Sequence, residues 1–255
     1  MNSFRIQRPG FYVIMSEPRF YRHWIKDDDL ASFELTVQQT DLYIRARRNL
    51  KDKALHSVLK HRGSLESYIG RHPIFLTALH PYRAEAEAPA IVKEMARVSQ
   101  LAGVGPMAAV AGAVAEAIGR DLLGFSPEVI VENGGDVFLE VSRKRLVGIY
   151  AGQSSFAKQI GLEIIPRETP LGICTSSGTV GHSLSLGNAD AVVVLAPSTA
   201  LADAAATALC NIVKTVDDIP RAIEKAQGIK GLRGLVVIMG DKMGVWGKVR
   251  IAPLG

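Results

Sequence analysis

Cysteine, histidine and aromatic residues are all scarce in this chain. Of its 255 residues, two are Cys, six are His and 6% are aromatic. Cys174 and Cys210 form no CxxC pair and have no histidine at metal-ligand spacing, which excludes a disulfide framework and a Cys–His metal site. Both lie in apolar surroundings and are expected to be buried free thiols.

Long, strongly apolar runs are absent as well. The longest, residues 101–118, consists mainly of Ala, Gly and Val and contains Pro106. A membrane span needs about 20 strongly apolar residues, so this run is predicted to be a buried helix. The first residues lack the apolar stretch of a signal peptide. We therefore expect a soluble, cytoplasmic protein without a membrane partner.

The chain is rich in apolar residues, at 47%, and carries a net charge of +5. Thirteen Lys or Arg occur between Arg5 and Arg71. Such an excess can attract nucleic acid. The basic residues are interspersed with acids and lack interleaved aromatics, which favours a solvated surface. Nucleic-acid binding through residues 45–53 is therefore the last-ranked hypothesis.

Hydrophobic periodicity predicts an α+β protein with a mainly antiparallel sheet and helices packed on one face. Residues 32–47 alternate as a hairpin with its turn at Thr40-Asp41. Helical spacing covers residues 50–68, with a break near Gly63. Further helices are predicted at residues 89–99, 106–123, 197–213 and after 219–220. Strands are predicted at residues 128–131, 137–141, 146–150, 160–165, 171–175, 191–195, 234–239 and 245–251. No linker is evident, so residues 1–255 are expected to form one domain that incorporates the basic segment 1–75.

A glycine turn joins two of these strands. The segment is Asn133, Gly134, Gly135 and Asp136, in which the Asn-Gly and Gly-Gly pairs tolerate the positive φ angles of a tight hairpin turn. A turn does not by itself explain the carboxylates of Glu132 and Asp136 on apolar strands. The same residues could therefore bind a ligand, because the glycines would permit its close approach.

A hydroxyl-rich segment follows a later strand. Thr175, Ser176, Ser177 and Gly178 are followed closely by His182. Hydroxyls and free backbone N–H groups in a loop can cradle a phosphate, and His182 could act as a general base. The segment is neither a Walker loop nor a nucleophile elbow. An ordinary polar surface loop remains the alternative.

A carboxylate and a hydroxyl lie one turn apart on an alanine-rich helix. Asp203 and Thr207 are four residues apart, so they share a helix face. Together they could hold one Mg²⁺, which prefers oxygen ligands. The alternative is structural: Thr207 would bond a backbone carbonyl, and Asp203 would interact with a helix dipole.

In this order, the motifs resemble those of the ApbE family, the FAD:protein FMN transferases. The matching segments are 133–136, 175–178 with His182, 191–196 and 202–209, with a fainter match at 111–116. The resemblance implies a T-fold-like α+β fold. It also implies Mg²⁺ held by Asp203 and Thr207, and FAD or FMN lined by Asn133 to Asp136 and Thr175 to Gly178. The acceptor would be a Ser or Thr of a partner protein, with His182 and Asp203 as catalytic candidates.

Two departures from the family pattern leave the activity open. Ala111 stands where the family has a lysine, and residues 182–186 lack its Asp-Pro pair. The alternative function is a non-catalytic binder or sensor of a phosphorylated ligand. The small-residue helix 106–123 also leaves open whether it packs within one subunit or across a homo-oligomer.

Overall fold

The computed structural model describes residues 29–152, 154–157, 159–179 and 186–254. The six helices of this part are α1 (Lys51–Arg71), α2 (Ile74–Thr77), α3 (Ala90–Ala102), α4 (Val110–Leu123), α5 (Thr199–Cys210) and α6 (Ile219–Gly228). The eleven strands of this part are β1 (Ala31–Val37), β2 (Thr40–Ala46), β3 (Val129–Asn133), β4 (Asp136–Glu140), β5 (Arg145–Gly148), β6 (Ile160–Ile164), β7 (Leu171–Ser176), β8 (Ala191–Ala196), β9 (Gly234–Met239), β10 (Lys242–Gly247) and β11 (Ile251–Pro253).

Eight strands form one large sheet in the order β1-β2-β3-β4-β7-β8-β9-β10. Every neighbouring pair in it is antiparallel. All six helices contribute to the larger apolar cluster, which lies on one face of this sheet. The α+β class, with a mainly antiparallel sheet and helices on one face, is therefore confirmed.

The opposite face carries a second, smaller core. Strands β11, β6 and β5 form a three-stranded sheet, and residues such as Leu162 and Ile164 pack there against Leu139, Ile173 and Ile238. Alternation along β4 and β7 serves both cores, because successive strand residues point to opposite faces. Apolar residues thus pack on both faces of the large sheet. The three-stranded sheet was not predicted from the sequence as a separate layer.

Three local predictions were wrong. The β1–β2 turn lies at Gln38-Gln39, where Gln38 adopts a φ of 52°. Thr40 is instead a buried strand residue that accepts a hydrogen bond from Arg62 at 2.6 Å. Helix α1 continues through Gly63, because Leu65 and Tyr68 beyond it are buried and their packing outweighs the roughly 1 kcal/mol cost of a helical glycine.

The third wrong prediction is a single strand at 245–251. The chain turns at Gly247, with a φ of 83°, and passes from the large sheet to the small one. Within the described residues, no single helix has the length and hydropathy of a membrane span. The α3 and 106–123 helical segments meet that test only together, across a 103° bend. Both cysteines are buried free thiols, as predicted.

Candidate functional site

The glycine turn forms as predicted and aims two polar side chains at the helices. Gly134 and Gly135 have φ angles of 68° and 104°, a backbone conformation that glycine adopts without strain. Asn133 and Asp136 are paired directly across the turn, so their side chains share a face of the sheet. Val131 and Phe138, on the same face, belong to the helix-side core.

Glu132 has a structural partner in the turn. Its Oε1 accepts a hydrogen bond from the backbone N–H of Gly135 at 3.0 Å. The Glu132 carboxylate therefore stabilises the turn. This contact explains why an acidic residue follows the apolar part of β3, which the turn sequence alone did not explain. Asn133 instead reaches the helices, where its Nδ2 donates to the carbonyl oxygen of Ala111 at 3.0 Å.

Asp203 connects α5 to the first turn of α4. Its Oδ2 accepts the backbone N–H of Gly112 at 2.8 Å, and the Ala111 N–H also donates to the carboxyl group. Burial raises the pKa of Asp203 to about 7, although these two backbone hydrogen bonds act to lower it. A helix N-terminus favours a carboxylate, so the structural role expected as the alternative is present, but toward α4 rather than α5.

Asp136 is buried beside this contact. Burial raises its pKa well above the usual range, and the negative charge of Asp203 raises it further. Hydrogen bonds from the Cys174 thiol and the Thr175 backbone N–H oppose the increase. Its Oδ1 atom has no hydrogen-bond partner in the part of the chain that the structure describes. The Asn-Gly-Gly-Asp turn, β7 and α5 therefore converge at two mutually repelling carboxyl groups.

Thr207 is half-buried on α5, one turn beyond Asp203. Its hydroxyl makes no hydrogen bond to any part of the chain that the structure describes. The back-bonded threonine of the structural alternative is therefore absent. Asp203 and Thr207 each keep oxygen lone pairs available, and neither is turned into a packed interior.

The hydroxyl-rich segment splits between two faces of the sheet. Ile173 packs in the smaller core and Cys174 in the helix-side core. By strand alternation, Thr175 points away from α5 and Ser176 points toward it. Ser176 is buried, and its Oγ has no hydrogen-bond partner among the described residues. Only Ser176 of this segment brings a side-chain hydroxyl to the helix-side site.

Ser177 and Gly178 serve a neighbouring loop. The Gly178 N–H donates to the carbonyl oxygen of Ala189 at 2.9 Å, and the Ser177 hydroxyl makes a weaker contact to the same oxygen at 3.4 Å. No described contact joins them to Asp203. His182 lies outside the described residues, so its predicted role stays untested.

Cys174 and Glu116 are the residues at the site that the motifs did not identify. The Cys174 sulfur lies 3.3 Å from the carbonyl oxygen of Thr199, a second acceptor for the one S–H hydrogen that can also bond to Asp136, and burial raises the pKa of this thiol well above the usual range. Glu116 accepts the Thr199 N–H at 2.7 Å. Only the fainter match at 111–116 could have indicated Glu116.

Among the described residues, no group of three or more His, Cys, Asp or Glu side chains has metal-binding geometry. Two carboxylates with a hydroxyl are instead an oxygen set of the type that suits Mg²⁺.

A family model described as "AbpE bacteria" matches residues 22–240. The chain belongs to this family. It is 42% identical over 221 residues to a UPF0280 protein of Methanocaldococcus jannaschii, covering 84% of this chain and 90% of that protein. It is 43% identical over 226 residues to a UPF0280 protein of Methanopyrus kandleri, covering 86% and 91%.

Solved ApbE structures share the fold of this family member. The flavinyl transferase ApbE of Pseudomonas stutzeri superposes with a TM-score of 0.55 at 15% identity, covering 85% of this chain and 93% of that one. The ApbE protein of Thermotoga maritima gives 0.52 at 10% identity, covering 84% and 96%. The ApbE-like assignment and the T-fold-like architecture predicted from the motifs are confirmed. At these identities the likeness concerns the fold alone.

Proposed function

We propose that this protein binds a flavin nucleotide, FMN or FAD, together with Mg²⁺, at the site between β3, β4, β7 and the α4–α5 pair. One observation carries the proposal. The Asp136 carboxyl group is buried and that of Asp203 is half-buried, repulsion by the charge of Asp203 raises the pKa of Asp136, and neither carboxyl group forms an ion pair within the described residues. A cation bound between them would remove that repulsion.

The residues fit such a cation. Asp203 retains an oxygen besides the one that accepts the Gly112 N–H, and among the described residues neither Asp136 Oδ1 nor the Thr207 hydroxyl has a hydrogen-bond partner. These are hard oxygen donors, and Mg²⁺ would complete its coordination with waters and phosphate oxygens. The ion would supply charge neutralisation at a phosphate ester.

The remaining predicted residues would shape the ligand site. Gly134 and Gly135 leave the turn without side chains, which would permit close approach of the ligand. Asn133 is fixed by its bond to the Ala111 carbonyl oxygen, and the Ser176 hydroxyl would gain a partner it lacks. Thr175, Ser177 and Gly178 stay in the proposal only as contributors of backbone or as rim residues.

The transferase activity is the finer form of the proposal. A Ser or Thr hydroxyl of a partner protein would attack the FMN phosphorus of FAD, the P–O bond to the AMP half would break, and AMP would leave. The proton of the attacking hydroxyl would pass to a base, for which His182 and Asp203 are the candidates. The Pseudomonas stutzeri relative of the fold, named a flavinyl transferase, supports this form.

A non-catalytic binder is the second candidate. The methyl side chain of Ala111 provides no positive charge at the position where the resembling family has a lysine. The Ala111 backbone is used instead to orient Asn133 and Asp203. A site that keeps its binding geometry without that charge would serve a sensor or carrier. A cytoplasmic location remains a prediction for either candidate.

Calorimetric titration with FMN and FAD, with and without Mg²⁺, tests the proposal. We expect nucleotide binding to require the cation. The dissociation constant should rise by about tenfold or more in each of three variants, Asp203→Asn, Asp136→Asn and Thr207→Val. Thr175→Val is the matched control, because it makes the same chemical change as Thr207→Val in a side chain that points away from α5, and it keeps the Thr175 backbone N–H that bonds to Asp136. No binding of either nucleotide at millimolar concentration with Mg²⁺ would contradict the proposal.

Turnover separates the two candidates. Parent protein is incubated with FAD, Mg²⁺ and an acceptor protein, and AMP release is measured. AMP release that Asp203→Asn abolishes supports the transferase. Flavin binding without AMP release from the parent supports the binder.

A further inference from the structure

Helices α4 and α5 each place a carboxylate on the first turn of the other. Asp203 of α5 accepts the Gly112 N–H of α4 at 2.8 Å. Glu116 of α4 accepts the Thr199 N–H of α5 at 2.7 Å and the Ala200 N–H at 3.3 Å. Both carboxylates occupy positions that a helix N-terminus favours. The pairing is reciprocal, because Gly112 contacts Asp203 and Glu116 contacts Thr199. The two contacts together resist sliding of one helix along the other.

The two backbones touch where these contacts form. A Cβ atom on Gly112 would lie 2.5 Å from the Thr199 carbonyl oxygen and 2.7 Å from the Asp203 Cβ. Such distances exclude any side chain at this position. Because the helices are in direct backbone contact, a small shift of α5 would displace the Asp203 carboxyl group from the Gly112 N–H.

Glu116 is itself held in place. Its Oε1 accepts from Arg120 at 2.7 Å, and its Oε2 accepts from the Ser198 hydroxyl at 3.2 Å. Its side chain is only 12% exposed. Ser198 has one hydroxyl hydrogen, for which Glu94 at 3.1 Å is an alternative acceptor, and its Oγ accepts the Leu201 N–H at 3.2 Å. Glu116, unlike Glu94, therefore contacts the α5 backbone itself.

We propose that Glu116 is a positioning residue that fixes α5 on α4 and thereby places Asp203 and Thr207 in the ligand site. Thr199, Asp203 and Thr207 are spaced by four residues along one helix face. The anchor at Thr199 is thus one turn from Asp203 and two turns from Thr207. The effect of Glu116 on the placement of α5 does not depend on the proposed function, whereas its effect on ligand binding rests on that function.

Two measurements on folded protein test it. Amide hydrogen exchange at Gly112, followed by NMR, reports the Asp203 contact without any ligand. Calorimetric titration with Mn²⁺ reports the cation site. The variants are Glu116→Ala and Glu116→Gln. The matched control is Glu94→Gln, which removes a carboxylate from the same Ser198 hydroxyl but touches no α5 amide.

We expect exchange at Gly112 to become about five- to tenfold faster in Glu116→Ala, the factor typical of a lost helix cap. Glu116→Gln should show a smaller increase, because its amide oxygen can still accept one N–H. Glu94→Gln should leave Gly112 unchanged. The affinity for Mn²⁺ should fall in the same order, although Glu116 does not itself touch the cation site.

An unchanged Gly112 exchange rate in the Glu116 variants, or an equal effect of Glu94→Gln, would overturn the inference. If Glu116→Ala does not fold, Glu116→Gln decides the outcome by the same criterion. Faster Gly112 exchange in a protein whose parent binds no Mn²⁺ would support the positioning of Asp203 while rejecting the cation site of the proposed function.

Discussion

Asp136 lies on β4 and Asp203 on α5. Burial raises the pKa of both carboxyl groups, and the charge of Asp203 raises that of Asp136 further. A carboxyl group whose pKa is higher in the folded protein than in the unfolded chain costs stability once it ionises. Folding alone gives no reason to place two such carboxyl groups side by side, one of them buried with an oxygen that has no partner among the described residues. A bound cation would provide that reason, which is why these two residues carry the functional proposal.

The pH dependence of stability tests this pair. The measurement uses protein freed of cations with EDTA. The pKa of Asp203 is about 7 in the folded protein and near 3.8 in the unfolded chain. The free energy of unfolding should therefore fall as pH rises between these values, by at most about 1.4 kcal/mol per pH unit from this group. Urea denaturation of parent and Asp203→Asn between pH 4 and pH 8 measures the slope.

The Asp203→Asn variant should show the shallower decrease, because it has no proton to lose at that position. All other groups remain the same in the two proteins, apart from Asp136, whose pKa should move toward its usual range. Added Mg²⁺ should stabilise the parent at pH 8 and have little effect on the variant. Parallel pH curves for the two proteins would contradict the assigned pKa.

At the scale of elements, a buried charge cluster connects Glu128, the residue before β3, with Arg145 of β5. The Glu128 carboxylate is fully buried and accepts from Arg145 Nε at 2.8 Å and from the Ser142 hydroxyl at 2.7 Å. Arg145 also makes a bidentate contact to Asp29 at 2.8 and 2.9 Å. Burial acts to raise the pKa of Glu128. The hydrogen bonds and the neighbouring positive charges together lower it by more than burial raises it, so the pKa of Glu128 lies below the usual range.

Removing Arg145 should therefore be costly. In Arg145→Met the Glu128 carboxylate stays buried with its main partner gone, and we expect a loss of about 3–5 kcal/mol in the free energy of unfolding. Arg143→Met is the control, because its exposed side chain also pairs with Asp29 and should cost less than about 1 kcal/mol. Equal losses in the two variants, measured by urea denaturation, would show that the cluster behaves as a surface network.

Helix α1 offers a stabilising change. Gly63 is exposed in its interior, and a Cβ atom there would meet nothing within 4 Å. Gly63→Ala should raise the free energy of unfolding by about 0.5–1 kcal/mol, because alanine loses less backbone entropy in a helix. Gly135→Ala, at a φ of 104°, is the contrasting variant and should destabilise the protein. A neutral or negative effect of Gly63→Ala would indicate that residue 63 is not helical.

For the whole molecule, the large sheet carries a core on each face. Phe138 belongs to the helix-side core and Leu139, its neighbour on β4, to the smaller core. Because the two cores share every central strand, loss of packing on one face should weaken the other. The sheet therefore favours a single cooperative unit, as the single-domain prediction requires.

Two alanine variants test that cooperativity. Phe138→Ala should cost about 3–5 kcal/mol and Leu139→Ala about 2–5 kcal/mol, each as a shift of one unfolding transition. Denaturation followed by circular dichroism and by tryptophan fluorescence should give coincident curves for both variants. A separate early transition in Leu139→Ala would show that the smaller core unfolds independently, and the single-domain prediction would then be wrong.

Much of the candidate site was accessible from the sequence. The Asn133–Asp136 turn formed as predicted because Gly134 and Gly135 adopt positive φ angles without strain. Asp203 and Thr207 share a helix face because their spacing matches the helical repeat. Thr175 was placed beside Ser176 as an equal candidate, yet the two side chains point to opposite faces. Composition signalled the hydroxyls of β7, but only the sheet's orientation showed which one faces α5.

The sequence by itself determined the local features of this protein: its strands and helices, its glycine turn and its family. Those features depend on sterics and periodicity among consecutive residues, which the order of amino acids states directly. Only the tertiary structure decided that Asp136 faces Asp203, that Glu116 meets the first turn of α5, and that a second sheet covers the other face. These contacts depend on strand register and on helix–helix contact at Gly112, which join residues about 70 to 90 positions apart.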